Sequence, residues 1–232
     1  MGETMGTILI IAAYGVYAAF WIRFFLHALL WWKTASHPAV FARPMPPLSF
    51  KSCALSTRDV FLFWRLIMVN PALWFGEWVF HVSFLLVVLR HLRYFFAIVP
   101  EWVGWFQVPG LLAGYVLPLS LVYILVIRRF SAQEKYSSPA NMALLVLLLV
   151  ISFLGLLMAT LFRTDVVMVK EFIQGILTFH PAAWPGGILV LLHVSLVMVL
   201  VPLLPTHILT APLVILEAEK RNLALPLVMH EK

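Results

Sequence analysis

A chain of 232 residues, 63% of them hydrophobic and 11% charged, with a mean hydropathy of +0.99, lies far outside the range of soluble domains and leaves no room for one. Its formal charge of +6 is concentrated in short segments between hydrophobic runs, where basic residues fix membrane topology, and this argues against nucleic acid as a partner. The single cysteine, Cys53, excludes an internal disulfide, a Cys-based zinc site and a Cys-ligated iron–sulfur cluster within the chain, so any metal must use histidine or carboxylate.

The first span is predicted over residues 6–32. It opens too soon, and without a small-residue cleavage site, to be a removable signal peptide, and is expected to stay in the mature protein. Arg23 and His27 sit four apart on one face of its second half, where Arg23 either pairs with a propionate or lipid phosphate or snorkels toward the headgroups. Residues 33–58 carry Lys33, Arg43, Lys51 and Arg58, and the run Arg43-Pro44-Met45-Pro46-Pro47 predicts an extended loop. Residues 59–69 read as a short amphipathic piece, and Asn70-Pro71 restarts the chain into a second span over residues 72–96.

The third span is expected over residues 110–127 and the fourth over 140–162, joined by a basic connection that begins at Arg128-Arg129. A loop over residues 163–185 contains Arg163, Asp165, Lys170, Glu171 and His180. The fifth span begins near Gly187, carries His193 and meets Pro202 and Pro205 before His207; Glu217, Glu219, Lys220 and Arg221 then mark a solvated tail. The fold class that follows is all-α: a polytopic membrane protein of five transmembrane helices, a single integral-membrane domain over residues 1–232. Basic loops at 33–58 and 128–135 place the N-terminus outside and the C-terminus in the cytoplasm.

Within the second span, His81 and His91 stand near the two ends of an apolar run, and ionisable groups at membrane depth are costly enough to need an explanation. Ten residues of helix separate them by ~15 Å and turn them ~1000°, so both can face one bundle interior. The second and fifth spans run in opposite directions, so residues at equal depth have nearly constant summed numbers. His81 with His207 and His91 with His193 satisfy this to within ~6 Å of rise, whereas the crossed pairs do not. Two level pairs are what two bis-histidine haems require, His81 and His207 toward the cytoplasmic side and His91 and His193 toward the outer side. Taken one at a time, a membrane histidine is more often a hydrogen-bonded packing residue or an interface residue than a metal ligand, and it is the two level pairs that favour ligation. His27, His37, His180 and His230 have no level partner.

The same residues carry a resemblance. Phe80-His81-x-Ser83-Phe84 through Arg90-His91-Leu92-Arg93-Tyr94, then Val169-Lys170-Glu171-Phe172, His193, and Pro205-Thr206-His207-Ile208-Leu209-Thr210-Ala211-Pro212 resemble the respiratory nitrate reductase gamma-subunit superfamily. The closer likeness is to the membrane cytochrome b subunits of sulfate-reducer redox complexes of the Hme/Dsr and Tmc types, over residues 59–221. The second ligand spacing is shorter than in nitrate reductase itself, and no lysine follows His91 at the distance of that enzyme's quinone lysine. The resemblance implies two haem b groups ligated by His81, His91, His193 and His207, a quinone site near the outer haem with menaquinone as the quinone, and location in the cytoplasmic membrane of a prokaryote. It also implies a cytoplasmic iron–sulfur partner of the heterodisulfide-reductase-like or nitrate-reductase-like kind, and admits a periplasmic cytochrome c subunit.

Bis-histidine ligation leaves no open coordination position, which predicts electron transfer rather than oxygen or group chemistry, in a quinone-reactive subunit of a multi-subunit oxidoreductase. Arg90 and Arg93 flank His91 and either pair with haem propionates or snorkel to the outer headgroups. Lys170 and Glu171, with Asp165 and Arg163 nearby, supply the titratable groups a quinone site needs; the other reading of that loop is an ordinary amphipathic interfacial segment. Two alternatives remain for the whole chain. A cofactor-free membrane anchor leaves His81 and His91 unexplained, and a transporter subunit should show internal repeats or broken helices.

Overall fold

The computed structural model describes residues 2–35, 49–130, 138–180 and 182–229, and every regular element among them is helical. In chain order these are α1 (Gly2–Ala35), α2 (Phe50–Leu62), α3 (Trp64–Val69), α4 (Pro71–His91), α5 (Glu101–Gly104), α6 (Gln107–Phe130), α7 (Pro139–Thr160), α8 (Val166–Leu177), α9 (Ile188–Leu200) and α10 (Leu204–Met229). Five stretches are long and apolar enough to cross a bilayer: Gly6–Trp31, Pro71–Tyr94, Glu101–Phe130, Pro139–Thr160 and Ile188–Glu219. The five expected spans are therefore present, and the chain is an integral membrane protein. Large exposed side chains such as Leu119, Val126, Phe153 and Val199 lie on these helices, as expected where hydrocarbon rather than water is the solvent.

The chain divides into two compact units, one of Met1–Val16 with Pro71–Leu200 and one of Tyr17–Asn70 with Val201–Lys232. In the first, α4, α6, α7 and α9 pack in succession. Helix α6 is its most enclosed element, with Leu121 and Ile124 at 0% exposure. Glycine sets how closely α4 and α6 approach. A Cβ on Gly76 would stand 2.7 Å from the Tyr123 ring, and one on Gly110 would stand 2.6 Å from Arg90 Cβ and 2.8 Å from the Leu86 carbonyl oxygen. Both positions need a residue without a side chain. The Tyr123 hydroxyl donates to the Ala72 carbonyl at 3.1 Å and closes the contact.

The stretch expected as a loop over residues 163–185 is largely helical. Asp165 caps α8 by accepting from the amides of Val167 and Met168 at 2.9 and 3.2 Å, which satisfies two of the donors that a helix start leaves without an intrahelical partner. The far end closes with His180 N–H to Gly175 O at 2.9 Å around Phe179, held at φ 59°. A phenylalanine in that region is strained by roughly 1–2 kcal/mol. Tyr14 of α1 offsets this, stacking on Phe179 at 5.3 Å between centroids and donating its hydroxyl to Ile176 O at 2.8 Å. Leu9, Ile10 and Phe172 are the buried centre of this contact, with Trp184, Leu191 and Met198 around them.

The second unit holds two departures from expectation. Helix begins at Phe50, inside the expected loop, because Ser49 and Ser52 form a reciprocal capping box. The proline run 43–47 and His37 lie outside the described residues, as do most of the basic connection after Arg128 and His230. The expected solvated tail is instead the continuation of α10, and its Glu219 is 6% exposed. Glu219 accepts from Arg65, whose Nε also reaches Asp59 at 2.8 Å, and Arg58 binds the other Asp59 oxygen at 3.0 Å. The Glu219 carboxylate beside it raises the Arg65 pKa above the ordinary guanidinium value. Between α9 and α10 the helix narrows to a 3-10 turn at Val201–Leu203, where Pro202 removes a backbone donor.

Candidate functional site

The first unit brings His91, His193, Arg90 and Arg93 into one neighbourhood. His91 closes the last turn of α4, and its Nδ1 donates to the Val87 carbonyl one turn earlier at 2.7 Å. A carbonyl can only accept, so the proton of the neutral ring sits on Nδ1 and the Nε2 lone pair is left to bind a metal or take a proton. His81 repeats the arrangement three turns earlier, with Nδ1 donating to Glu77 O at 2.7 Å. Both rings are therefore fixed in orientation by the helix that carries them.

His193 reaches the same tautomer by a different route. Its Nδ1 donates to the Ile151 carbonyl of the neighbouring helix α7 at 3.0 Å. That carbonyl is reachable because residue 155, the next one along that face, is glycine: a Cβ there would stand 3.3 Å from His193 Cε1. Gly155 is thus a notch that admits the imidazole to the backbone of α7. The His193 ring lies within electrostatic range of His91, and Arg90 and Arg93 act on His91 in turn. The His91 ring is exposed rather than enclosed by the helices of its unit.

The two arginines differ. Arg93 is committed, donating to Gln107 Oε1 at 3.1 Å and the Tyr94 hydroxyl at 2.8 Å with its guanidinium over the Tyr94 ring. Arg90 is packed against Gly110, and its Nε is buried with no acceptor among the described residues; Arg93 Nε shares that condition. A buried guanidinium donor aimed at nothing is a position for an anion.

Lys170 and Glu171 part company. Lys170 donates to the Ala97 carbonyl at 3.0 Å and Gln174, one turn on, to the Phe96 carbonyl at 2.9 Å, so α8 is tied to the backbone that follows the His91 end of α4. Glu171 is exposed. His81 belongs to the first unit and His207 to the second, where His207 is exposed next to Thr206; the Thr206 hydroxyl is hydrogen-bonded to His27 Nε2 at 3.2 Å. Among the described residues there is no cluster of three or more His, Cys, Asp or Glu side chains that could hold a metal ion alone.

With that geometry in place, known proteins supply a direction. The chain is similar to archaeal redox subunits. Over 121 residues it is 31% identical to the "Hdr-like menaquinol oxidoreductase cytochrome b-like subunit" of Archaeoglobus profundus, a match covering 47% of this chain and 36% of that protein. It is 30% identical over 119 residues to the protein of the same description from Archaeoglobus fulgidus, with the same 47% and 36% coverage. The match thus spans about a third of the length of these curated relatives. No family model and no solved structure matches the chain. The likeness falls on the Hdr-like side of the resemblance and lends no support to the link with nitrate reductase gamma subunits.

Several residues that shape the site escape motif reading: Gly155, Gly110, Gln174 and the partner of Glu77, which is Arg128. A signal was available for the glycines. Each interrupts an apolar helix at a cost of about 1 kcal/mol relative to alanine, which points to a close approach.

Proposed function

We propose that this chain is the membrane cytochrome b subunit of a menaquinol-linked redox complex, holding two haem b groups between bis-histidine pairs, His91 with His193 and His81 with His207. Haem closed by two imidazoles would supply one-electron transfer and no open coordination position. The observation that carries the reading is the pair His91 and His193, two rings on different helices of the first unit and within electrostatic range of each other, each fixed by an Nδ1 donation that leaves Nε2 as the ligating atom. The residues present fit the group: Gly155 clears the edge of His193, and the unpaired Nε of Arg90 offers a donor for a propionate, with Arg93 behind it.

The rest of the proposal follows from placement along the chain. Lys170 and Glu171 bind and deprotonate quinol on the outer side, near the end of α4 to which α8 is tied. The N-terminus lies outside and the C-terminus in the cytoplasm, where an iron–sulfur subunit docks, since a chain with one cysteine cannot hold such a cluster itself. The names of the similar archaeal proteins support the quinol-linked, Hdr-like assignment.

The test is spectroscopic. Chain purified in detergent after expression with haem should show a reduced-minus-oxidised difference spectrum of low-spin haem b at two haems per chain. His91→Ala and His193→Ala should lose one component, and His81→Ala and His207→Ala the other. A colourless protein overturns the function; His81 grouping with His193 overturns the pairing.

A further inference from the structure

Glu77 and Arg128 form an ion pair that no step above uses. Glu77 lies one turn before His81 on α4, and its Oε1 accepts from Nη2 of Arg128, at the end of α6, at 2.7 Å. Its other oxygen, Oε2, stands 3.9 Å from His81 Nδ1, while the Glu77 backbone carbonyl accepts the proton of that same Nδ1 at 2.7 Å. The Glu77 side chain is 12% exposed and that of Arg128 25%, so the pair is poorly screened. It is also rigidly placed, because Gly76 lets α4 press against Tyr123 and Ile124 of α6.

We propose that Glu77 and Arg128 are positioning residues that tune the midpoint potential of the haem held at His81. The inference rests on the reading of His81 as a ligand. The Glu77 carboxylate makes no hydrogen bond to the ring, but its negative charge 3.9 Å from Nδ1 stabilises the added positive charge of a ligated, oxidised iron and so favours that state. Arg128 draws on the other carboxylate oxygen and moderates the effect. Residues that only fasten α4 to α6 would need no such approach to the ring, since a neutral hydrogen bond between the helices would serve.

Two substitutions separate tuning from fastening, because tuning predicts opposite signs. In redox titrations of the haem-loaded chain in nanodiscs, Glu77→Gln should raise the midpoint of the component that His81→Ala abolishes. Arg128→Gln, which leaves the carboxylate uncompensated, should lower it. A charge this close in a poorly screened site is expected to change the oxidised-to-reduced ratio about tenfold, or about 59 mV for one electron. The component lost in His91→Ala should stay where it is. Wild-type protein without haem would sink the ligand reading. Two intact components with both variants unshifted, or shifted in the same direction, would sink this inference alone; if one variant fails to retain its haem, the sign of the other decides.

Discussion

Replacing Gly110 by alanine should destabilise the protein, although the same change in an unobstructed helix is stabilising. A Cβ at Gly110 would meet Arg90 Cβ at 2.6 Å and the Leu86 carbonyl oxygen at 2.8 Å. Ordinary carbon contacts lie near 3.5–4.0 Å, so α4 and α6 must part by about 1 Å, and neither obstacle is the swinging end of a side chain. Overpacking of this kind costs about 1–3 kcal/mol, against about 1 kcal/mol recovered in helix propensity. The net loss, up to about 2 kcal/mol, corresponds to a fall in Tm of up to about 8 °C for a chain of this size. Gly15 is the control, since a Cβ there meets nothing within 4 Å, and Gly15→Ala should leave Tm unchanged or slightly raised. Tryptophan fluorescence during heating in detergent reads both variants. Because Gly110 backs Arg90, next to His91, the variant should also, on the proposed function, blunt the haem component lost in His91→Ala and leave the other untouched. If Gly110→Ala matches Gly15→Ala in Tm, the close approach of α4 and α6 at Leu86 and Arg90 does not exist.

The remaining expectations concern α8 and the second unit. Lys170→Ala should weaken binding of a quinone analogue and slow quinol-driven haem reduction while both haem components persist; an effect matched by Gln174→Ala, which removes only the parallel tie to Phe96, would assign Lys170 to fastening α8 rather than to quinone. Arg65→Lys should lower stability by about 1 kcal/mol, because an ammonium cannot span Asp59 and Glu219 as a fork does and the half-exposed guanidinium is screened by solvent. With its pKa raised, Arg65 contributes below the ordinary guanidinium value and loses that contribution only as pH climbs past it, so the Arg65→Lys difference should be flat from pH 6 to pH 9 by thermal denaturation. A difference that varies across that range would place the titrating group elsewhere.

The spans were legible because a run of about 20 apolar residues has few fates: four of the five runs begin within about one residue of where hydropathy puts them, and the third begins at Glu101 rather than 110. The stretch over 163–185, expected as a loop with an amphipathic interfacial segment as its other reading, is helical over Val166–Leu177 for an identifiable reason. Its cap is a single Asp165, and its apolar face is completed by Leu9, Ile10 and Tyr14, more than 150 residues away, a contact no local pattern reveals. Glu219 departs from expectation in the same way: in sequence it heads a charged run, and Arg65, supplied by another helix, makes its burial tolerable.

The histidines occupy a middle position between these cases. Their spacing in α4 follows from the chain alone, and so does the i−4 carbonyl that orients His81 and His91, because every helix offers one. His193 has no such guarantee, since its acceptor comes from α7 through a gap that only Gly155 leaves. An imidazole oriented by its own helix survives small shifts between helices; one oriented by a neighbour does not. His193 is therefore the member of its pair whose geometry depends on packing, and substitutions at the α7 and α9 contact should disturb that pair before any change confined to α4 does.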